Sequence, residues 1–270
     1  MKKLLALILA VLMLVTCFAG CGAKKDDNKL VMATNAAFPP YEFKDDGGEF
    51  AGIDVEIAGL IAKELGLELE IVDIEFGAII AGVQTGKYDI GMAGLTVTDE
   101  RKESVNFTNS YAKGIQSVIV KADSPYASFE DFYTGFDDAG DPAGVKDGIK
   151  IGVQQDTTGD IYSSDAPENW GFGEDKVERY KTGADAVEAL KAGKVTAVII
   201  DNEPAKSFVN ANTGLKILDG SYAEEDYAIA INKADTELLD KINAALKKLT
   251  DDGSIAKIVN KYIPANADEK

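Results

Sequence analysis

Apolar positions along the chain fall into short β-branched runs that alternate with helical stripes. Leu30-Val31-Met32-Ala33-Thr34 predicts a strand, and Ile53 to Leu65 an amphipathic helix stopped by Gly66. Leu67 to Ile74 alternates as a strand, Phe76 to Thr85 predicts a second helix, and Tyr88 to Ala93 a further short strand. Such alternation predicts βαβ units and a mainly parallel sheet. The rhythm then restarts. Ile149 to Val153 reads as a strand, a helix opens at Asp160, and Lys176 to Tyr180 is the next strand. Ala184 to Lys191 predicts a helix stopped by Gly193, and Val195 to Ile200 a buried strand. Two starts of one pattern predict two α/β lobes, with no fixed-period repeat that would mark a solenoid.

The tail adds strand-like Leu215 to Leu218 and Tyr227 to Ile231, then a strong helical stripe over Thr236 to Thr250. Asp251-Asp252-Gly253 stops that helix, and Ser254 is expected to cap a last one through Tyr262. Tyr133 to Gly148, rich in Gly and Asp, predicts a surface loop. Its Asp137, Asp138 and Asp141 lack the spacing and closing glutamate of an EF-hand, which favours a solvated acidic loop over a calcium site.

The first residues follow a different pattern. Lys2 and Lys3 precede an apolar run from Leu4 to Val15, and small residues lead into Cys21: the layout of a secretory signal, too short to span a membrane. Phe18-Ala19-Gly20-Cys21 resembles a bacterial lipobox, with Leu14-Val15-Thr16-Cys17 a poorer second match. Cys21 is thus the expected lipidation site. Residues 1–20 form the expected signal and 21–29 a polar tether, which leaves roughly 240 of 270 residues for folding.

Composition narrows the chemistry. Cys17 and Cys21 are the only cysteines and both belong to the signal, so the folded part has no disulfide or thiolate metal site. The chain has no histidine, which removes Ser-His and Cys-His catalysis and the usual zinc ligands. No metal or cofactor is expected. A formal charge of −18 argues against nucleic acid and anionic lipid as partners and favours a soluble monomer.

The segment richest in chemistry is Gly91-Met92-Ala93-Gly94-Leu95-Thr96-Val97-Thr98-Asp99-Glu100-Arg101. A strand ends at glycine, Thr98 is placed to cap a helix, and Arg101 lies in its first turn. Backbone N–H groups, a hydroxyl and a guanidinium then converge where a carboxylate would fit. The bland alternative pairs Arg101 with Asp99 or Glu103 on a solvated face. Asn35 to Phe43 with its Phe38, Gly52-Ile53-Asp54, Phe76, Gln154 to Gly159 and Asp201 all follow strand ends, where open α/β sheets place ligands.

Together these segments resemble the family 3 solute-binding proteins for polar amino acids, from about Leu30 to Tyr262. The resemblance implies an α/β, type II periplasmic-binding-protein fold: residues 30–113 with 224–270 as one lobe, 114–223 as the other. Two hinge crossings would lie near Tyr111 to Ile115 and Ala223 to Tyr227. It implies that Arg101 binds a ligand α-carboxylate, helped by Thr96, the Gly94 backbone and Thr158. Asp201 would take the α-ammonium, and Phe38 and Phe76 would sandwich the side chain. Asn35 and Gln154 fall where the family contacts that side chain; as neutral amides they lean towards a neutral polar amino acid. The implied protein is a lipid-anchored extracytoplasmic binder that delivers a free amino acid to an ABC permease and its ATPase. A small-acid dehydratase on the same fold, or a sensor for a membrane receptor, are the alternatives.

Overall fold

The computed structural model describes Asp26 and residues 28–264. The signal, Cys17 and Cys21 lie outside the described residues. The first sheet is ordered β5-β1-β6-β14-β7. Its strands are β1 (Lys29–Thr34), β5 (Glu68–Asp73), β6 (Ile90–Gly91), β7 (Val105–Phe107) and β14 (Ala230–Asn232). β1 pairs parallel with β5 and β6, Met32 opposite Ile71 and Ile90, while β14 runs antiparallel between β6 and β7. A three-stranded antiparallel flap, β2 (Ala37–Phe38), β3 (Glu42–Lys44) and β4 (Phe50–Ala51), follows β1.

Helix α1 (Ile53–Leu65) ends as expected at Gly66, whose φ of 70° is the left-handed conformation that glycine adopts without strain. Its Ile57 and Ile61 are fully buried, each contributing about 1.5–3 kcal/mol of apolar transfer. They pack with Ile242, Leu246 and Leu249 of α7 (Thr236–Asp251) and Ile255 and Ile258 of α8 (Ser254–Tyr262). On the opposite side, α2 (Ile79–Gln84) sets Ile79 and Val83 against Ala33, Leu95 and Ala230. The helix predicted over 76–85 is therefore split: Phe76–Ala78 is a 3-10 turn. Gly82 is required within it, because a Cβ there would lie 2.5 Å from the Tyr88 ring.

The second sheet is ordered β10-β9-β11-β8-β12, with β13 also on β8. These strands are β8 (Ala112–Lys121), β9 (Ile151–Gln154), β10 (Val177–Tyr180), β11 (Ala197–Asp201), β12 (Leu215–Ile217) and β13 (Ala223–Tyr227). β9 is parallel to β10 and β11; β8 is antiparallel to β11, β12 and β13. Helices α4 (Thr158–Ser164), α5 (Gly183–Lys191) and α6 (Asn202–Ala211) connect these strands. Ala186, Val187 and Leu190 cover one face, and an aromatic cluster of Phe132, Tyr133, Trp170 and Phe172 covers the other. The loop after Tyr133 is closed by bridges Tyr133–Val145 and Phe136–Pro142. The Asp137 carboxylate there accepts from the Ala139 and Asp141 N–H groups at 2.8 and 3.0 Å, so the backbone already satisfies it.

Three further expectations change. Tyr227 to Ile231 is not one strand: β13 ends at Tyr227 and β14 starts at Ala230 in the other sheet. Between them, Ala228 bonds Leu95 and Ile229 bonds the Thr108 hydroxyl. Helix α4 begins at Thr158, not Asp160, because Thr157 is its cap and accepts from the Asp160 N–H at 3.3 Å. Ser254 is the first residue of α8 and does not cap it; Gly253, at φ 78°, holds that position. The chain leaves the first sheet along β8 and returns along β13, and those strands pair over Ala112–Gln116. Two α/β lobes thus meet at one antiparallel ribbon.

Candidate functional site

The carboxyl ends of the two sheets face one another across a small cavity. Its walls include every residue expected to touch a ligand: Asn35, Phe38, Phe76, Gly94, Thr96, Arg101, Gln154, Thr158 and Asp201. Glu42, Ala93 and Thr157 line it as well.

Arg101 sits in α3 (Asp99–Ser104), where Thr98 caps the helix by accepting from the Arg101 N–H at 3.1 Å. The guanidinium does not pair with Asp99 or Glu103. It is buried, donates to the Thr96 carbonyl at 2.9 Å and, across the cleft, to the Asp156 carbonyl at 3.1 Å. It also stands 5.4 Å from the Phe76 ring centroid, a cation–π arrangement. No carboxylate forms an ion pair with it among the described residues, so its charge is available to a ligand.

The backbone at Gly94 is arranged differently from expectation. Its N–H is already used, donating to Asp54 Oδ2 at 2.9 Å. Asp54 is fully buried and also accepts from the Tyr111 hydroxyl at 2.8 Å. Burial raises its carboxyl to about 6, opposed by the Gly94 N–H bond. Gly94 itself, at φ 54°, brings the chain against Phe38, where a Cβ would meet the ring at 2.9 Å.

Asn35 and Gln154 meet each other across the cleft: Gln154 Nε2 donates to Asn35 Oδ1 at 2.9 Å, and Asn35 Nδ2 donates to the Ile74 carbonyl at 2.8 Å. The hydroxyls of Thr96 and Thr158 lie 3.4 Å apart, again one from each lobe. Asp201 ends β11. Its Oδ2 accepts from Gln116 Nε2 at 2.9 Å and its Oδ1 from the Tyr227 hydroxyl. Burial, and after it the nearby Glu225 carboxyl, raises Asp201 to about 8.

Glu42, at the start of β3, is a further charged residue of the lining. It is 1% exposed, and its Oε2 has no hydrogen-bond partner among the described residues. Burial, then the neighbouring Asp54, pushes its carboxyl well above the ordinary range. The cavity therefore has carboxyls at Glu42 and Asp201, with Asp54 and Glu225 behind them, against one guanidinium. Signals for two of these were present: Asp54 shares the stripe of Ile57, Ala58 and Ile61 on α1, and Glu42 interrupts an aromatic run. Gln116 and Glu225 carried none.

Comparison with known proteins places the chain. The family model described as bacterial extracellular solute-binding proteins, family 3, matches residues 30–265. The arginine-binding extracellular protein ArtP of Bacillus subtilis (strain 168) is 32% identical over 269 residues, covering 97% of this chain and 98% of the relative. Among solved structures, a mutant of ArgBP from T. maritima aligns with TM-score 0.76 and 36% identity, covering 87% of this chain and 95% of that one. An ancestral arginine-binding protein bound to glutamine aligns with TM-score 0.76 and 34% identity, covering 88% and 99%. Sequence, two-lobed fold and the placement of the cavity agree: the chain belongs to family 3 of the bacterial extracellular solute-binding proteins and has the type II periplasmic-binding-protein fold.

Proposed function

We propose that this protein binds a free amino acid with a cationic side chain, of the arginine type, and presents it to an ABC permease. The observation that carries the choice of ligand is Glu42. Arg101 matches an α-carboxylate and Asp201 an α-ammonium, which satisfies a zwitterion; the buried Glu42 carboxyl then remains, and a guanidinium complements it. The neutral amides that favour a neutral ligand are engaged with each other and with Ile74. Phe38 and Phe76 offer their faces to the side chain, which suits a guanidinium. The arginine-binding names of ArtP and ArgBP support the same reading.

A glutamine-like ligand is the second reading. A protonated Glu42 donates a hydrogen bond to a carboxamide oxygen, and the glutamine-bound ancestral structure supports it. Lobe boundaries at 113/114 and 223/224, closure about the β8–β13 ribbon, monomeric behaviour and lipid attachment at Cys21 complete the proposal. The deciding experiment is calorimetric titration of refolded, ligand-stripped protein with each amino acid, for wild type and Glu42→Gln. Arginine should bind wild type at least tenfold tighter than glutamine. The variant should lose about 1.5–3 kcal/mol for arginine and little for glutamine. Preference for glutamine in wild type selects the second reading, and turnover of bound ligand would revive the dehydratase.

A further inference from the structure

Beneath the cavity lies a carboxyl pair. Asp201 lines the cavity; Glu225, on the returning strand β13, sits behind it and does not. One amide joins them: Gln116 Nε2, from β8, donates to Asp201 Oδ2 at 2.9 Å and to Glu225 Oε2 at 3.0 Å. Thr96 donates to the same Glu225 oxygen at 3.1 Å. Glu225 Oε1 and Gln116 Oε1 are buried without a hydrogen-bond partner among the described residues.

Other groups face the pair from every side. Tyr227 donates to Asp201 Oδ1, Tyr162 of α4 faces Glu225, and Tyr41 and Glu42 of the flap face Asp201. Arg101 is the cation that faces the pair, and it makes no ion pair with either carboxyl. Ionising Asp201 in this desolvated place, beside the Glu225 carboxyl and around one shared donor, carries a large cost, which favours its protonated form.

We infer that Asp201, held beside Glu225 by the shared Gln116 amide, keeps a proton in the ligand-free protein and that the ligand's ammonium expels it on binding. The inference rests on the reading of Asp201 as the ammonium contact. The balance is simple: a carboxyl O–H breaks, its proton passes to solvent, and ammonium N–H groups bond the freed carboxylate. Glu225 touches no ligand; it is a positioning residue that sets the pH at which Asp201 is ready. The elevated position of the Asp201 carboxyl agrees with this.

The test is calorimetry with glutamine in buffers of different ionisation enthalpy, which counts protons released per ligand bound; glutamine brings the ammonium but no side-chain cation to displace a proton from Glu42. With glutamine, wild type should release about one proton near pH 6–7, with affinity rising up to about tenfold per pH unit there and levelling near pH 8. In Glu225→Gln the midpoint of the affinity–pH profile should fall by about one unit or more, and fewer protons should leave at pH 7. A purely structural role would weaken binding equally at all pH values. Wild-type binding without proton release overturns the inference and leaves the transport reading standing, as does an unshifted midpoint in the variant. If the variant does not fold, the wild-type proton count still decides. Absence of binding by any amino acid removes the ammonium reading itself, and the inference with it.

Discussion

Replacing Arg101 by methionine should abolish ligand binding while leaving the ligand-free protein almost as stable as before. The side chain is 8% exposed and carries its charge without an ion-pair partner among the described residues. Burying an unpaired cation costs several kcal/mol. The two bonds it makes, to the Thr96 and Asp156 carbonyls, return about 1.5–3 kcal/mol each. These terms nearly cancel, and methionine keeps an apolar stem against Phe76. The expected change in ligand-free stability is within about 2 kcal/mol, a shift of about 4–8 °C at most for a chain of this size. Binding responds differently. Two charge-assisted bonds to a ligand carboxylate are worth about 3–6 kcal/mol together, a loss of about 10²- to 10⁴-fold in affinity. Thermal unfolding with ligand at about 100 times the wild-type Kd reads both effects: about 2.7 kcal/mol of stabilisation in wild type and essentially none in the variant. A variant that binds within threefold of wild type would refute the carboxylate clamp. One that unfolds far below wild type without ligand would show instead that Arg101 is mainly structural.

Gly77→Ala should weaken binding about tenfold without altering the cavity wall, because its Cβ would lie 2.1 Å from Asp156 Oδ2 across the cleft. Adding Asp156→Gly, which removes that carboxylate and relieves a φ of 64°, should restore affinity; equal affinity in Gly77→Ala alone would show that the contact does not govern closure. The ligand-free protein should gain stability as pH falls from 8 to 5. Asp54 and Asp201 bind protons in the fold near pH 6 and 8, but in the unfolded chain only near pH 4, so the folded state takes up protons first. Melting temperatures that fall over this window would contradict the buried-carboxyl assignment. Glu56 and Glu174, whose positions are lowered, act only below about pH 5. Cys21→Ser should move the protein from the membrane fraction to the soluble fraction of expressing cells; unchanged fractionation would remove Cys21 as the anchor.

Much of this site was legible because its residues occupy positions that the alternation of strand and helix marks from outside. Asn35, Gly94, Gln154 and Asp201 each follow or close a strand, and Thr98 caps a helix with the ordinary chemistry of threonine. Helix α1 was readable to the residue because its apolar stripe and Gly66 agree. What stayed hidden depends on long-range pairing. β8 reads poorly because Gln116 and Ser117 interrupt it, yet both are buried: they face the site and the α6 helix, where polar partners await them. Likewise Tyr227 to Ile231 is one apolar run, and no local feature tells that its two ends belong to different sheets.

The distribution of charge in the closed cleft links the fold to the proposed transport role. Closure buries Arg101 without an ion pair among the described residues and sets Glu42 and Asp201 in a desolvated cavity, where burial disfavours their ionised forms. The contacts that span the cleft include an amide pair, two threonine hydroxyls and an exposed Lys181–Glu75 ion pair, each worth about 1 kcal/mol or less, and a guanidinium-to-carbonyl bond worth about 1.5–3 kcal/mol. They define how the lobes fit but supply a weak bias. The cationic amino acid proposed above would supply counter-charge to Arg101 and Glu42 on one lobe and Asp201 on the other, and that full set of contacts forms only when the cleft is closed. Its affinity for the closed form must therefore exceed that for the open form, which is the condition for a ligand to shift the population. A permease that recognises the closed arrangement would then distinguish loaded from empty protein without contacting the ligand.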